Sequence, residues 1–288
     1  MSNGVFLRIY GRIIKKVAHS RIASIEPLQN IHKAIVKHSS SDFVMIGENK
    51  IYLDQNDSLR LSIHGSHEPF ETELLSKWIK ESDYVLDLGA NIGYFTLIMS
   101  KLVGDSGKVF SFEPSMDNFE ILKKNIKVNN CNNVIIENMA VGNKNGEIKL
   151  YLSDNQSMHT LYENTISTNR SVTVPIIKLD DYYNKKSINK INVIKMDVEG
   201  AELDTLRGMS NILTENKDVV LFVEFNPESI KKAGMLPKDQ LAFIDDLGFK
   251  IYVIYESAQK IKPMNVDQII DSCVKTTNLL CSRTDIQE

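Results

Sequence analysis

The chain has 288 residues, 42% of them hydrophobic and 25% charged, a balance that suits a packed globular protein and excludes a disordered or fibrous one. Its net charge is −3, unevenly placed: residues 1–40 hold seven Lys/Arg (Arg8, Arg12, Lys15, Lys16, Arg21, Lys33, Lys37) against one acid, Glu26, so this stretch carries +6 and the remainder −9. An acidic remainder argues against a nucleic-acid-binding catalytic face. The three cysteines, Cys131, Cys273 and Cys281, are odd in number and lack metal-ligand spacing, which argues against a disulfide framework or zinc site and for a reducing cytoplasm.

Taken in chain order, Val5, Phe6, Ile9, Ile13 and Val17 recur near helical spacing inside the basic stretch. A basic amphipathic helix of this kind fits peripheral contact with an anionic membrane or a partner protein. It also fits a helix capping the catalytic domain, the preferred reading, because surface helices of globular proteins carry the same stripe. The longest apolar runs, such as Val219–Val223, fall far short of the roughly 18 residues that cross a bilayer, and no signal-peptide pattern follows the start. No Pro/Gly/Ser-rich linker divides the chain, so one catalytic domain over 70–288 is expected behind an extension over 1–69.

Phe43–Ile46, Ile51–Leu53 and Leu59–Ile63 read as short strands separated by turns, a small β meander leading into the core. Glu71 to Ile79 reads as a helix. From Tyr84 onward short β-rich runs alternate with amphipathic segments: Tyr84–Leu88, Lys108–Phe112, Val134–Glu137, Ile191–Met196, Val219–Phe225 and Phe249–Ile254 are the expected strands. Tyr94 to Leu102 and the segment carrying Phe119, Leu122 and Ile126 are helices between them. That alternation defines an α/β fold, a doubly wound, mostly parallel sheet with helices on both faces. The polar stretch from Ser153 to Ser171 is expected to be a long loop over the site.

The chemistry is written at the ends of those strands. Val85-Leu-Asp-Leu-Gly-Ala-Asn-Ile-Gly-Tyr-Phe-Thr96 runs an apolar strand through Asp87 into a tight turn with glycines at 89 and 93, then into a helix, as a ligand-approaching backbone requires. The spacing Gly89-x-x-x-Gly93 departs from the G-x-G-x-x-G dinucleotide fingerprint. The next strand ends at Phe112-Glu113-Pro114, which puts a carboxylate where α/β nucleotide sites bind both hydroxyls of an unphosphorylated ribose. Asn138 and Ala140, after the third strand, would flank an adenine ring or simply make a turn.

Ile194-Lys-Met-Asp-Val-Glu-Gly-Ala-Glu202 gathers Lys195, Asp197, Glu199 and Glu202 at the fourth strand's end, a grouping that is costly unless paired or used. A carboxylate there can orient a substrate hydroxyl or take its proton, and Asp197, Glu199 and Lys195 are the candidate catalytic residues. Glu224 and Asn226 on the next strand could join Asp197 as an oxygen set for Mg²⁺; a strand-end and helix-cap pair is preferred, so no metal ligand is assigned. His159 in the polar loop is expected to be solvated rather than to act as a base.

These blocks together resemble the FkbM family of methyltransferases over about Phe70 to Tyr255. The resemblance rests on the Asp87 turn, Phe-Glu-Pro at 112–114 with Leu-Lys-Lys-Asn-Ile downstream, Asn138 with Ala140-Val-Gly, Leu179-Asp-Asp-Tyr182 and the Lys195–Glu202 block. It implies a class I methyltransferase (Rossmann-like) sheet with an antiparallel strand near the C-terminus, S-adenosyl-L-methionine as methyl donor, and O-methylation of a sugar or glycan, a polyketide or a related small molecule. On that resemblance Asp87, Gly89, Asn91 and Gly93 line the methionine and ribose side, Glu113 the ribose hydroxyls and Asn138 to Ala140 the adenine, while Asp197 and Glu199 face the acceptor. Two readings compete: an NAD-dependent oxidoreductase, weakened by the missing middle glycine, and a non-catalytic glycan-associated binding module.

Overall fold

The computed structural model describes residues 42–163, 168 and 170–286; the basic stretch 1–40 and its expected amphipathic helix lie outside the described residues. The described chain opens with a hairpin of β1 (Phe43–Ile46) and β2 (Asn49–Tyr52). The expected third strand over Leu59–Ile63 is instead a helical turn, α1 (Leu61–His64). Asp57 causes this: its carboxylate accepts from Leu61 N at 2.8 Å and Ser62 N at 3.0 Å, satisfying backbone donors that a strand would have to pair elsewhere. Helix α2 (Pro69–Trp78) follows, with Pro69 in the first turn, where its missing N–H costs nothing.

Strand and helix then alternate through β3 (Tyr84–Leu88), α3 (Tyr94–Val103), β4 (Lys108–Phe112), α4 (Met116–Val128) and β5 (Val134–Glu137). Three further strands, β6 (Ala140–Val141), β7 (Gly146–Tyr151) and β8 (Ser171–Ile177), form a separate small sheet of order β6-β8-β7. The chain returns through α5 (Leu179–Lys185), β9 (Val193–Met196), α6 (Glu202–Gly208), α7 (Ser210–Glu215), β10 (Val220–Phe225), α8 (Pro227–Lys232) and α9 (Pro237–Asp246). It ends with β11 (Lys250–Tyr255), β12 (Lys260–Pro263), α10 (Val266–Ser272) and β13 (Thr277–Ser282).

The main sheet has the order β12-β11-β13-β10-β9-β3-β4-β5. Pairing is parallel from β5 to β10, and β13 inserts antiparallel between β10 and β11. The α/β sheet expected from the alternation is therefore present, as is the antiparallel strand near the C-terminus. Chain order reverses between β3 and β9, and ligands of open α/β sheets bind outside the carboxyl ends at such a switch point.

The period of two along each strand splits the buried side chains between two cores. Leu86, Leu88, Phe110, Phe112, Ile194 and Met196 enter one core. Val85, Val109, Val193 and Phe222 enter the other, with α2 and α3. On this second face the row formed by Ser111, Asp87, Lys195 and Phe222 is in register, so polar groups replace apolar ones at the carboxyl edge. The hairpin is fastened to this face by two asparagines of α4. Asn125 accepts from Tyr52 N at 2.7 Å and donates to Tyr52 O at 3.0 Å and Ile92 O at 2.8 Å, and Asn129 pairs with both backbone groups of Lys50 at 2.8 Å.

Asn125 is fully buried, so Asn125→Ala strands three backbone groups and should destabilise the fold by about 3 kcal/mol. Urea unfolding monitored by fluorescence measures this, and a midpoint within error of wild type would show that the hairpin is not held in this way.

Candidate functional site

A cavity opens at the switch point, lined by the β3–α3 turn, the end of β4, Met139 to Val141, the end of β9, Glu224, the segment 156–161, and Ser58, Leu59, His67 and Glu68 from before and at the start of α2. The turn is shaped by its glycine. Gly89 has φ +84, and a Cβ there would lie 1.8 Å from the carbonyl oxygen of Asp197, so the β3–α3 turn and the β9 terminus touch backbone to backbone and fix each other's position. Asn91, at φ 52, is the non-glycine residue of the turn in the left-handed region; its Oδ1 accepts from Ile92 N at 2.7 Å, the local bond that makes asparagine tolerable there.

Glu113 joins the two cofactor motifs. Its Oε2 accepts from Asn91 N and its Oε1 from Ser115 N, each at 2.8 Å. Burial pushes its carboxyl up to about 7, although both N–H groups favour the charged form. Each oxygen has a lone pair left for a ligand hydroxyl. Asp87 is buried as well and accepts from Thr96 Oγ1 at 2.5 Å.

Lys195 is the buried cation of the site, its side chain 5% exposed. Its Nζ lies 3.7 Å from Asp197 Oδ2, 3.9 Å from Glu71 Oε1 and 4.3 Å from the centroid of the Phe95 ring. Burial alone would favour loss of the proton; the carboxylates of Glu71, Asp197, Glu68 and Asp87 more than offset it, so the pKa rises and the lysine stays charged. After β9, Glu199 (φ 52) and Gly200 (φ 96) form a left-handed turn. Gly200 N and Val198 N both donate to Glu202 Oε1, each at 3.2 Å. Burial first, then the charges of Asp197 and Glu202, push Glu199 up to about 9, so it is uncharged at neutral pH. Burial likewise raises Glu202 to about 7 and Glu224 well above the usual range.

The expected loop over the site includes a 3-10 turn at Gln156–Met158. Thr160 Oγ1 donates to Glu199 O at 2.9 Å, Tyr162 Oη to Asp204 Oδ2 at 2.8 Å, and Asn118 Nδ2 to Gln156 O at 3.0 Å. His159 is half-buried and lines the cavity rather than standing in solvent. Its Nδ1 accepts from Ser153 N at 3.0 Å and burial lowers its pKa. The neutral ring therefore carries its proton on Nε2, which makes it a donor and not a base.

Of the residues singled out in the sequence, Asp87, Gly89, Asn91, Glu113, Ala140, Lys195, Asp197 and Glu199 line the one cavity. Gly93 and Asn138 stand outside its lining. A Cβ on Gly93 would meet Leu122 Cδ1 at 2.6 Å, so its smallness lets α3 pack on α4. Asn138 Nδ2 donates to the carbonyls of Glu113 at 2.9 Å and Pro114 at 3.1 Å, holding the acid in place from behind. Asn226 Oδ1 accepts from Ser229 N at 3.1 Å and caps α8. Among the described residues no group of three or more His, Cys, Asp or Glu side chains is disposed to hold a metal ion. Motif reading missed Ser58, Leu59, His67, Glu68 and Glu71; the one signal available was an unusual density of acids beside Pro69.

Sheet order, the antiparallel β13 and a glycine turn facing a strand-end acid define a class I methyltransferase fold. The profile of the methyltransferase FkbM domain matches residues 87–251, and the chain belongs to that family. It is similar to the hexuronic acid methyltransferase AglP of Haloferax volcanii, 32% identical over 166 residues that make up 58% of this chain and 63% of that protein. It is also similar to methyltransferase 1 of Beauveria bassiana, 27% identical over 46% of this chain and 60% of that one. The chain thus spans about three-fifths of the length of these curated relatives. A solved SAM-dependent methyltransferase from Aquifex aeolicus aligns with 78% of this chain and 93% of its own at a TM-score of 0.42 and 16% identity.

The buried carboxyls set a pH dependence. Glu113, Glu202 and Glu199 titrate near 7, 7 and 9 when folded and near 4.5 as ordinary carboxyls. Between those values the folded chain holds protons that the unfolded chain has released, so stability falls as pH rises from about 5 to 9. Thermal unfolding of the ligand-free protein should show a lower Tm at pH 9 than at pH 6; a Tm that climbs across this window would contradict the burial of these groups.

Proposed function

We propose that the protein transfers the methyl group of S-adenosylmethionine to a hydroxyl of a sugar or glycan acceptor, and the observation that carries this reading is the facing of Glu113 and the Lys195–Asp197 pair across one cavity. The chemistry of the donor set fits the cofactor. Glu113 offers acceptor lone pairs to two ribose hydroxyls, with no Lys or Arg in the cavity wall beside it to favour a phosphorylated ribose. Met139, Ala140 and Phe112 offer an apolar wall to adenine, and Asp87 with the Gly89–Asn91 backbone offers hydrogen-bond partners to the amino acid end. When bound, S-adenosylmethionine supplies an electrophilic methyl group on a sulfonium.

The chain's own part is positioning and proton handling. Asp197, one-third exposed and held by Lys195, accepts the acceptor's hydroxyl hydrogen and aligns its oxygen for in-line attack. Lys195 holds Asp197 in place through their ion pair, and Glu199, which retains its proton at neutral pH, donates toward the acceptor. Segment 156–161 excludes water above the site. The described residues before 70 act as an extension that completes the acceptor side through Ser58, Leu59, His67 and Glu68. The name of the Haloferax relative supports a sugar acceptor. Among the described residues no helix is long and apolar enough to cross a membrane, and the three cysteines are free; we place the protein in the cytoplasm.

Titration calorimetry with S-adenosylmethionine and with NAD, each against wild type and Glu113→Ala, tests the cofactor. Binding of S-adenosylmethionine alone, lost in the variant, is expected, whereas binding of NAD alone would replace this reading with hydride transfer. For the chemical step, Asp197→Asn should keep cofactor affinity and lower kcat by about 10²- to 10⁴-fold. Full turnover by that variant on the acceptor would remove Asp197 from the mechanism.

A further inference from the structure

Buried polar atoms are nearly always paired, so each orphan asks for a partner that the chain itself does not provide. Four buried oxygens in the cavity wall have no hydrogen-bond partner: Glu68 Oε2, which has only the longer 3.7 Å contact with His67 Nε2, Asn118 Oδ1, Gln156 Oε1 and Glu224 Oε2. All four can accept. Asn118 and Gln156 belong with Glu113 on the cofactor side, whereas Glu68 and Glu224 stand with Lys195 and Asp197. Glu68 is also locally strained, at φ 42, and is held there because its Oε1 accepts from Asn278 Nδ2 at 2.9 Å. Burial raises its carboxyl, but Lys195, His67 and Asn278 together bring it below the ordinary range, so it is ionised.

Glu68 stands at a junction. Besides the main cavity it lines a second cleft, walled by Tyr255, Ser257, Thr276, Thr277 and Asn278 at the end of β11 and the start of β13. Asn278 pairs in register with Glu224 across β13 and β10, so the cleft continues the acceptor edge of the sheet away from the cofactor. Its wall holds hydroxyls, an amide, the Tyr255 ring and the carboxylates of Glu68 and Glu256, with Ile254 and Ala258, and among the described residues no Lys or Arg lines it; Lys260 Nζ stands behind it, 5.8 Å from the centre of the Tyr255 ring. That composition repels phosphate and carboxylate groups and suits a neutral ring bearing many hydroxyls, one face of which can rest on an aromatic side chain.

We infer that this cleft is a second acceptor subsite, that it takes the sugar ring next to the one being methylated, and that Glu68 binds a hydroxyl at the junction between the two rings. The acceptor is then an oligosaccharide of at least two units. The inference rests on the sugar-hydroxyl reading above and deepens it.

The test is transfer of radiolabelled methyl from S-adenosylmethionine to a panel of neutral and uronic hexoses, each offered as the free monosaccharide and as the terminal unit of α- and β-linked disaccharides. The expected result is a kcat/KM at least about tenfold higher for a disaccharide than for its terminal monosaccharide, the effect of one or two added hydrogen bonds. Thr276→Trp and Ser257→Trp, two exposed positions in the cleft wall, should each erase that advantage by filling it, and Glu68→Gln should lower kcat/KM for the disaccharide more than tenfold. Circular dichroism of the three variants checks that they fold. Equal rates on monosaccharide and disaccharide, an advantage that survives both tryptophans, or methylation of non-sugar hydroxyls alone overturns the subsite. Failure of S-adenosylmethionine to bind overturns the methyltransferase reading itself, an outcome separate from these.

Discussion

A single buried ammonium organises this protein. Lys195 sits on the face of the main sheet whose polar row at the carboxyl edge runs through Ser111 and Asp87 and ends at Phe222, and a buried charge in that position is tolerated only if anions are brought to it. Asp87 and Asp197 come from the sheet itself. Glu71 comes from α2, where it is 1% exposed; burial pushes its carboxyl up to about 8, so it meets the lysine largely as a protonated partner while Glu68 beside it carries the charge. Asn278, from β13 near the other end of the chain, donates to both Glu71 and Glu68, and Glu256 accepts from Phe70 N at 2.7 Å and Glu71 N at 3.2 Å. The need to neutralise one lysine thus ties the start of α2 to the β11–β13 region and closes the acceptor side of the cavity.

The same constraint separates what the sequence displays from what it hides. The part of the site around the glycine turn is local. Asp87, Gly89, Asn91 and Glu113 lie within 27 residues of each other and are set by a strand, a turn and the next strand, so spacing alone exposes them. The strands around them are legible because both faces are buried and their apolar runs are nearly continuous. The wall at Glu68 has no such grammar: Glu68 and Asn278 meet across 210 positions, and nothing in the order of residues announces a contact made by packing. Leu59–Ile63 shows the converse failure, where an apolar alternation suggestive of a strand yields to the capping carboxylate of Asp57. The small sheet of β6 to β8 is likewise hard to read from sequence, since Pro175 lies inside β8 and prolines count against a strand.

Two residues of the motif blocks serve the site at one remove. Gly93 is small so that Leu122 can approach, and Asn138 secures the backbone of Glu113 and Pro114. Spacing cannot distinguish a residue that meets the ligand from one that holds its neighbour, because both are fixed at the same place in the motif. The distinction is geometric, and it assigns Gly93 to helix packing and Asn138 to the support of the backbone at Glu113.

The span that shows the family, 87–251, begins at Asp87 and ends inside β11, so it holds Lys195 with Asp87 and Asp197 but leaves out Glu68, Glu71 and Asn278. Two of the four acids around Lys195, and most of the residues that line the second cleft, therefore lie outside the matched part of the chain. A fold divided in this way can keep its transfer chemistry while its acceptor wall changes. The Gly89 turn and Asp197 are locked backbone to backbone, whereas the wall at Glu68 depends on side-chain contacts from α2 and β13, which can be exchanged without disturbing that lock.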